Sequence, residues 1–232
     1  MTSLIQVLDH KRPVLDIAKY IDQPELPDLI RLFLHHQLLS DSDSQASDSD
    51  VYTSSLPIWN TKISLHKSAS SVFFSPSDPC GIRGFRQEQI QATWAWRGGS
   101  PQQDTVLVNT GEGGNTQLPL SGYVVARLLI FFSFTYDGRG FPAALVQWYA
   151  LSDDSGRRDD ATGMWLVERE YRDDGKPHLA VVHVETIFRA VHLLPYFGNE
   201  RVKRGITWDT SLNAYGMFYV NRFADHQSFE IL

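Results

Sequence analysis

The sequence predicts a mainly β fold with short helices, α+β in its minor part. We expect a partly open β-barrel behind a helical N-terminal extension. Three observations predict it. Ala126–Leu151 reads as two apolar, β-branched and aromatic runs joined at Tyr136-Asp137-Gly138-Arg139-Gly140, and Asp-Gly is a strong hairpin-turn signal. Short strand-like runs separated by turn residues recur through the second half of the chain, as in barrels and sandwiches. An acidic tract, Ser40–Asp50 (SDSDSQASDSD), separates this part from a helical beginning.

The helical part, residues 1–39, carries the strongest helix signal at Pro27–Leu39. Proline is tolerated in a first turn, and Asp28 suits the positive end of the helix dipole. Leu29, Ile30, Phe33, Leu34 and Leu38 recur with helical spacing. Val14–Tyr20 is a shorter helix that ends before Pro24. Residues 40–50 have almost no apolar content, so burial cannot offset the entropy of ordering. We read them as a solubilising linker.

Residues 51–232 carry the β pattern. Trp59–His66 and Ser71–Ser75 are short strands, and Gly84–Ala92 is expected as a short helix with Phe85 and Ile90 inward. Asp104–Asn109 alternates, with Val106 and Val108 on one face and Leu107 on the other. Gly111–Pro119 is a loop. In the hairpin, Ala126, Leu128, Ile130, Phe132 and Phe134 are expected on one face, and Arg127, Leu129, Phe131, Ser133 and Thr135 on the other. Ala144, Val146 and Trp148 oppose Leu145, Gln147 and Tyr149. Both faces are apolar, which predicts a central position. A mobile loop is expected near residues 152–162. Met164–Val167 and Leu179–Val184 are strands, and Glu185–Leu194 is mixed and stopped by Pro195. Asp209 caps a helix over Ser211–Gly216, and Met217–Arg222 is a terminal strand.

Composition narrows the function. The net charge is −6, and removing the four aspartates of the tract leaves about −2. A near-neutral folded part argues against a phosphate-backbone binder, which needs clustered cations. Arg201, Lys203 and Arg204 are the nearest approach to a cluster, with Arg83, Arg86 and Arg97 as further candidates for a DNA-binding module. One cysteine, Cys80, excludes a disulfide framework within the sequence and a multi-cysteine zinc site. No apolar run approaches the ~20 residues of a membrane span. We expect an intracellular, nuclear protein without a membrane partner and without a cofactor.

Catalytic constellations are sparse. His183 and Glu185 share a strand face and, with His192, form a two-histidine, one-carboxylate candidate for metal-dependent hydrolase or nuclease chemistry. Asp225-His226, beside Asn221 and Arg222, is a candidate base with its orienter, or else a polar anchor for the C-terminal segment. Gly111-Glu112-Gly113-Gly114 has glycines but no following lysine or helix signal. The aromatic set Trp94, Trp96, Trp148, Tyr149, Trp165, Tyr215 and Tyr219 could fill a core or build a recognition cage for alkylated lysine.

Several stretches resemble one family taken together: Leu26–Leu38, His66–Gly99, Asp104–Asn109, Val125–Leu151, Thr162–Glu168, Val181–Gly198 and Phe218–Ile231. The arrangement resembles the C-terminal region of Plavaka-type transposase proteins of mushroom-forming fungi, relatives of the Kyakuja–Dileera–Zisupton transposases. The resemblance implies that the acidic catalytic core lies upstream and is missing here, so no active-site residue carries over. Val146-Gln147-Trp148-Tyr149 also resembles a strand of bromo-adjacent-homology barrels, which implies a chromatin or protein-interaction role. The resulting expectation is a non-enzymatic interaction domain that binds protein, chromatin or transposon nucleoprotein. The sequence leaves the partner and the oligomeric state open.

Overall fold

A computed structural model describes residues 1–7, 11–41, 62–76, 83–94, 99–152, 158–198, 201–202, 204–207 and 210–232. Most of the acidic tract, Cys80, Trp96, Arg97, Lys203 and Asp209 lie outside the described residues. The order opens with β1 (Thr2–Val7), β2 (Arg12–Pro13), α1 (Val14–Tyr20) and α2 (Leu26–Asp41). β3 (Lys62–Phe74), β4 (Phe85–Thr93), β5 (Gln102–Gln103) and β6 (Thr105–Asn109) follow, then a 3-10 turn at Pro119–Gly122. β7 (Tyr123–Tyr136), β8 (Arg139–Leu151), β9 (Trp165–Arg169) and β10 (Leu179–His183) lead to a second 3-10 turn, Val184–Thr186. β11 (Ile187–Ala190), β12 (Leu193–Pro195), α3 (Ser211–Ala214), β13 (Met217–Val220) and α4 (His226–Ile231) complete it.

The fold is mainly β, a large antiparallel sheet with few helices, and it does not close into a barrel. Its main path runs β12-β13-β9-β8-β7-β3-β4-β5. β6 branches from β7 and carries β11, β10 branches from β8, and β1 and β2 lie along β3. The central hairpin turns at Asp137 and Gly138, both with positive φ (46° and 74°), the backbone twist that matches two antiparallel strands.

β7 departs from the simple alternation read from its sequence. Leu128 pairs with Val146 but Ile130 pairs with Leu145, so one extra residue is inserted at Leu129. Such a bulge reverses the faces beyond it. Ala126 and Leu128 share the second hydrophobic cluster with Phe131. Ile130, Phe132 and Phe134 instead enter the first cluster, with α1 and α2. On β8, Ala144, Val146 and Trp148 do share one cluster, as the alternation predicts.

Gly84–Ala92 is corrected from helix to strand. β4 pairs with β3 from Ser68↔Gln91 to Phe74↔Phe85. Gln87 Nε2 donates to Ser70 Oγ at 2.7 Å and Gln89 Nε2 to Ser68 Oγ at 3.0 Å. These cross-strand bonds override the helical preference of its glutamines and glutamate. The two short strands expected on either side of Lys67 are one, β3. The N-terminal residues also begin in the sheet, as β1 pairs with β3 from Thr2↔Ser71 to Val7↔His66. α1 and α2 pack on the sheet through Val14, Ile17, Leu26, Ile30, Phe33 and Leu34.

Phe132 is fully buried between α2 and the hairpin and stacks on Phe134 at 6.1 Å. Phe132→Ala is expected to cost ~3–5 kcal/mol, read as a lower urea midpoint with an unchanged denaturant slope.

Candidate functional site

A cleft of about 800 Å³ opens between α2 and β10. Leu29, Leu32, Phe33, His36 and Gln37 of α2 form one wall. Residues 179–183 of β10 form the floor, and the end of β6 with Trp148 closes the far side. His178, Arg139 and Glu185 also line it.

Each wall has a local cause. Phe33 is fixed edge-on against Phe134 (6.3 Å, 77°) and Phe141 (6.2 Å, 87°), which holds α2 at the hairpin. Beyond β6, Asn109 Oδ1 accepts from the N–H groups of Gly111 (2.9 Å) and Gly113 (3.0 Å). A Cβ on Gly113 would lie 2.6 Å from the Tyr123 ring, so the glycines serve this tight turn. Gly111-Glu112-Gly113-Gly114 is thus a turn that leads to a 3-10 segment, without the α-helix N-terminus that a phosphate-binding loop needs behind it.

β10 pairs with β8 along one edge, from Leu179↔Gln147 to His183↔Ala143. No strand among the described residues pairs with its other edge. Trp148 N–H donates to the His178 carbonyl. Antiparallel alternation therefore directs Ala180 and Val182 to β8 and the backbone groups of Leu179 and Val181 into the cleft. The side chains of Leu179 and Val181 turn into the first cluster, under α2.

The metal candidates do not converge. Glu185 N–H donates to His183 Nδ1 at 3.2 Å, and its carboxylate lies 3.9 Å from that nitrogen. His192 stands elsewhere, its Nδ1 accepting from Asn221 Nδ2 at 3.0 Å. No group of three or more metal-ligating side chains occurs among the described residues. Burial pushes the His183 imidazole below its ordinary range, Arg139 pushes the same way, and Glu185 opposes them. The neutral ring accepts at Nδ1 and carries its proton on Nε2.

Asp225 and His226 are not a base and its orienter. Asp225 caps α4, accepting from Ser228 N–H at 2.7 Å, and both carboxylate oxygens face Arg189. Arg189 is buried, lies 4.8 Å above the Phe73 ring, and also approaches Glu88 at 3.9 Å. Burial opposes ionisation of Asp225, yet the bonds from Arg189 and Ser228 and the Arg189 charge together outweigh it and hold the carboxyl well below its usual 3.8. Burial pushes Glu88 the other way, up from 4.5, against the Ala190 N–H and Arg189. The cluster clamps α4 onto β11 and β4. Residue-level reading missed α4 as a helix; its signal was Asp225 three residues before Ser228.

The aromatic candidates are dispersed. Tyr149 and Trp165 are buried in the third cluster, Tyr215 packs against it, and Trp94 packs against the first. Tyr219 meets Tyr196 edge-on at 5.4 Å. Trp148, half-buried, reaches the cleft. Arg201, Arg204 and Arg83 are exposed, while Arg86 lies 3.6 Å from Asp225. No helix among the described residues is long and apolar enough to cross a membrane. No family model matches the chain, and neither a curated protein nor a solved structure matches it.

Two outcomes follow from this chemistry. A His183 titration followed by NMR should have its midpoint below 6.5. The unfolded chain then takes up that proton first, so stability falls as pH drops below 6.5, and less so in His183→Gln. Asp225→Ala leaves Arg189 buried without its main partner and should cost ~3–5 kcal/mol at pH 7. The Asp225 contribution is complete above its unfolded value of 3.8 and is lost as pH falls through the lower folded value, so the variant's deficit should shrink in acid-range denaturant titrations.

Proposed function

We propose that the chain is a non-catalytic interaction module that binds an extended segment of a protein partner along the outer edge of β10. The single observation that carries this reading is an open strand edge at the floor of a cleft with mixed apolar and polar walls. Strand addition draws affinity from backbone hydrogen bonds and specificity from pockets for alternate side chains. Here Val181 and Leu179 offer the backbone groups, while Leu29, Leu32 and Trp148 offer apolar wall. His36, His178, His183 and Gln37 supply polar contacts at the rim.

In this reading the module derives from the C-terminal region of a Plavaka-type transposase, and the partner belongs to nuclear chromatin or a transposon nucleoprotein. The strands around the second cluster support a partly open barrel of the bromo-adjacent-homology kind. β10 hangs on β8 and β11 on β6, and the Val184–Thr186 turn joins the two across the opening.

Selection from a library of extended peptides against the full chain is the direct test. Enriched peptides should alternate apolar and polar residues. N-methylation at every second residue should weaken them at least about tenfold, because each lost backbone bond in a dry site costs about 1–3 kcal/mol. Val181→Pro should have the same effect by removing one outward N–H. Equal binding by methylated peptides, or a steeply salt-dependent preference for duplex DNA, would refute the reading.

A further inference from the structure

A second polar cluster lies away from the cleft, on neighbouring strands. Arg127 of β7 stands opposite Gln147 of β8. Tyr149, two residues further on, shares that face and stands opposite Arg169 of β9. The segment around α3 covers the group. Arg127 Nη1 donates to Asn213 Oδ1 at 2.6 Å, and Arg169 Nη2 donates to the Tyr215 carbonyl at 2.8 Å.

These bonds leave the cluster incomplete. Arg127 is 8% exposed and Tyr149 2%. Both arginine Nε atoms and the Tyr149 hydroxyl are shut off from water, yet none has a hydrogen-bond partner. No carboxylate among the described residues pairs with either guanidinium. Glu168 and Glu170 alternate onto the other face of β9 and its continuation, and Glu170 meets His178 at 2.9 Å. Buried donors of this kind are almost always satisfied in folded proteins, and an uncompensated buried cation is among the costliest features a core can hold. Burial pushes the Tyr149 hydroxyl up, although both arginines pull against it, so the phenol keeps its proton and can donate. Burial also pushes Arg127 down, and neighbouring Arg169 adds to that repulsion.

We propose that Arg127, Tyr149 and Arg169 form a binding site for a small tetrahedral oxyanion of the phosphate class. Two N–H donors and one O–H donor come from three side chains, which suits oxygens arranged in three directions better than a planar carboxylate. The anion would also neutralise the two adjacent cations. No water-sized space lies against the donor atoms, so entry of an anion requires the covering segment around α3 to shift, and Arg169, only half-buried, marks the side where it would do so. A free ion and a phosphorylated side chain share this chemistry.

The test uses the full chain in a phosphate-free buffer at constant ionic strength. Thermal unfolding is followed as inorganic phosphate replaces chloride. The midpoint should rise with the logarithm of phosphate concentration once this exceeds Kd, and by about 3–6 °C at tenfold excess over Kd. Tyr149→Phe, which removes one hydroxyl, should weaken the apparent affinity about tenfold, and Arg127→Met should abolish the response. O-phosphoserine in place of phosphate separates the sources: a weaker response supports a free ion, and an equal one supports a phosphorylated side chain in the same site. A wild-type midpoint indifferent to phosphate overturns the proposal. So does a response that Tyr149→Phe leaves unchanged, and this variant keeps the test decisive even if Arg127→Met fails to fold.

Discussion

One inserted residue in β7 governs how this molecule packs. A regular strand presents the same two faces along its whole length. The bulge at Leu129 lets β7 change faces midway, so its first half serves the second cluster through Ala126 and Leu128. Its second half turns Ile130, Phe132 and Phe134 toward the helices. Val125, on the opposite face from Ala126, joins the third cluster with Tyr149 and Phe218. A single 14-residue strand therefore touches all three hydrophobic clusters. The helices sit where they do because the second half of β7 offers them aromatic surface.

Polar contacts then hold the peripheral elements to that frame. Arg189 draws Asp225, Gln227 and Glu88 together, and so joins α4, β11 and β4. Glu25, between the helices, accepts from Arg172 at 2.8 Å and Lys176 at 3.0 Å. That contact is solvent-exposed and contributes little energy, but it sets the turn after β9 beside the start of α2. The cleft lies between the elements positioned this way. Phe33 both lines it and, edge-on to Phe134 and Phe141, holds α2 at the hairpin.

The sequence made some of this legible and hid the rest for physical reasons. The helices at Val14–Tyr20 and Leu26–Asp41 and the hairpin at Asp137-Gly138 follow local rules, namely helical spacing and a turn that tolerates positive φ. The bulge was invisible because both faces of β7 are apolar, and a reversal of apolar faces leaves no trace in the pattern. β4 was hidden because its glutamines favour a helix when considered alone and become strand residues only opposite Ser68 and Ser70. The cleft could not be read at all, since it joins α2 to β10 across more than 130 positions of sequence. His183 and Glu185 do meet, but through the 3-10 turn Val184–Thr186 that follows β10 and not on the one strand face expected, and His192 follows β11 and departs with it.

The unpaired flank of β10 carries one more implication. Such a flank does not discriminate well among strands that offer it backbone groups; register and side-chain fit do that work. Another molecule of the same protein is therefore always a competitor for the position, and its success grows with concentration. In the proposed role, the geometry that receives a guest strand would also have to keep a second copy's free strand out, and the recess behind α2 is what stands in its way.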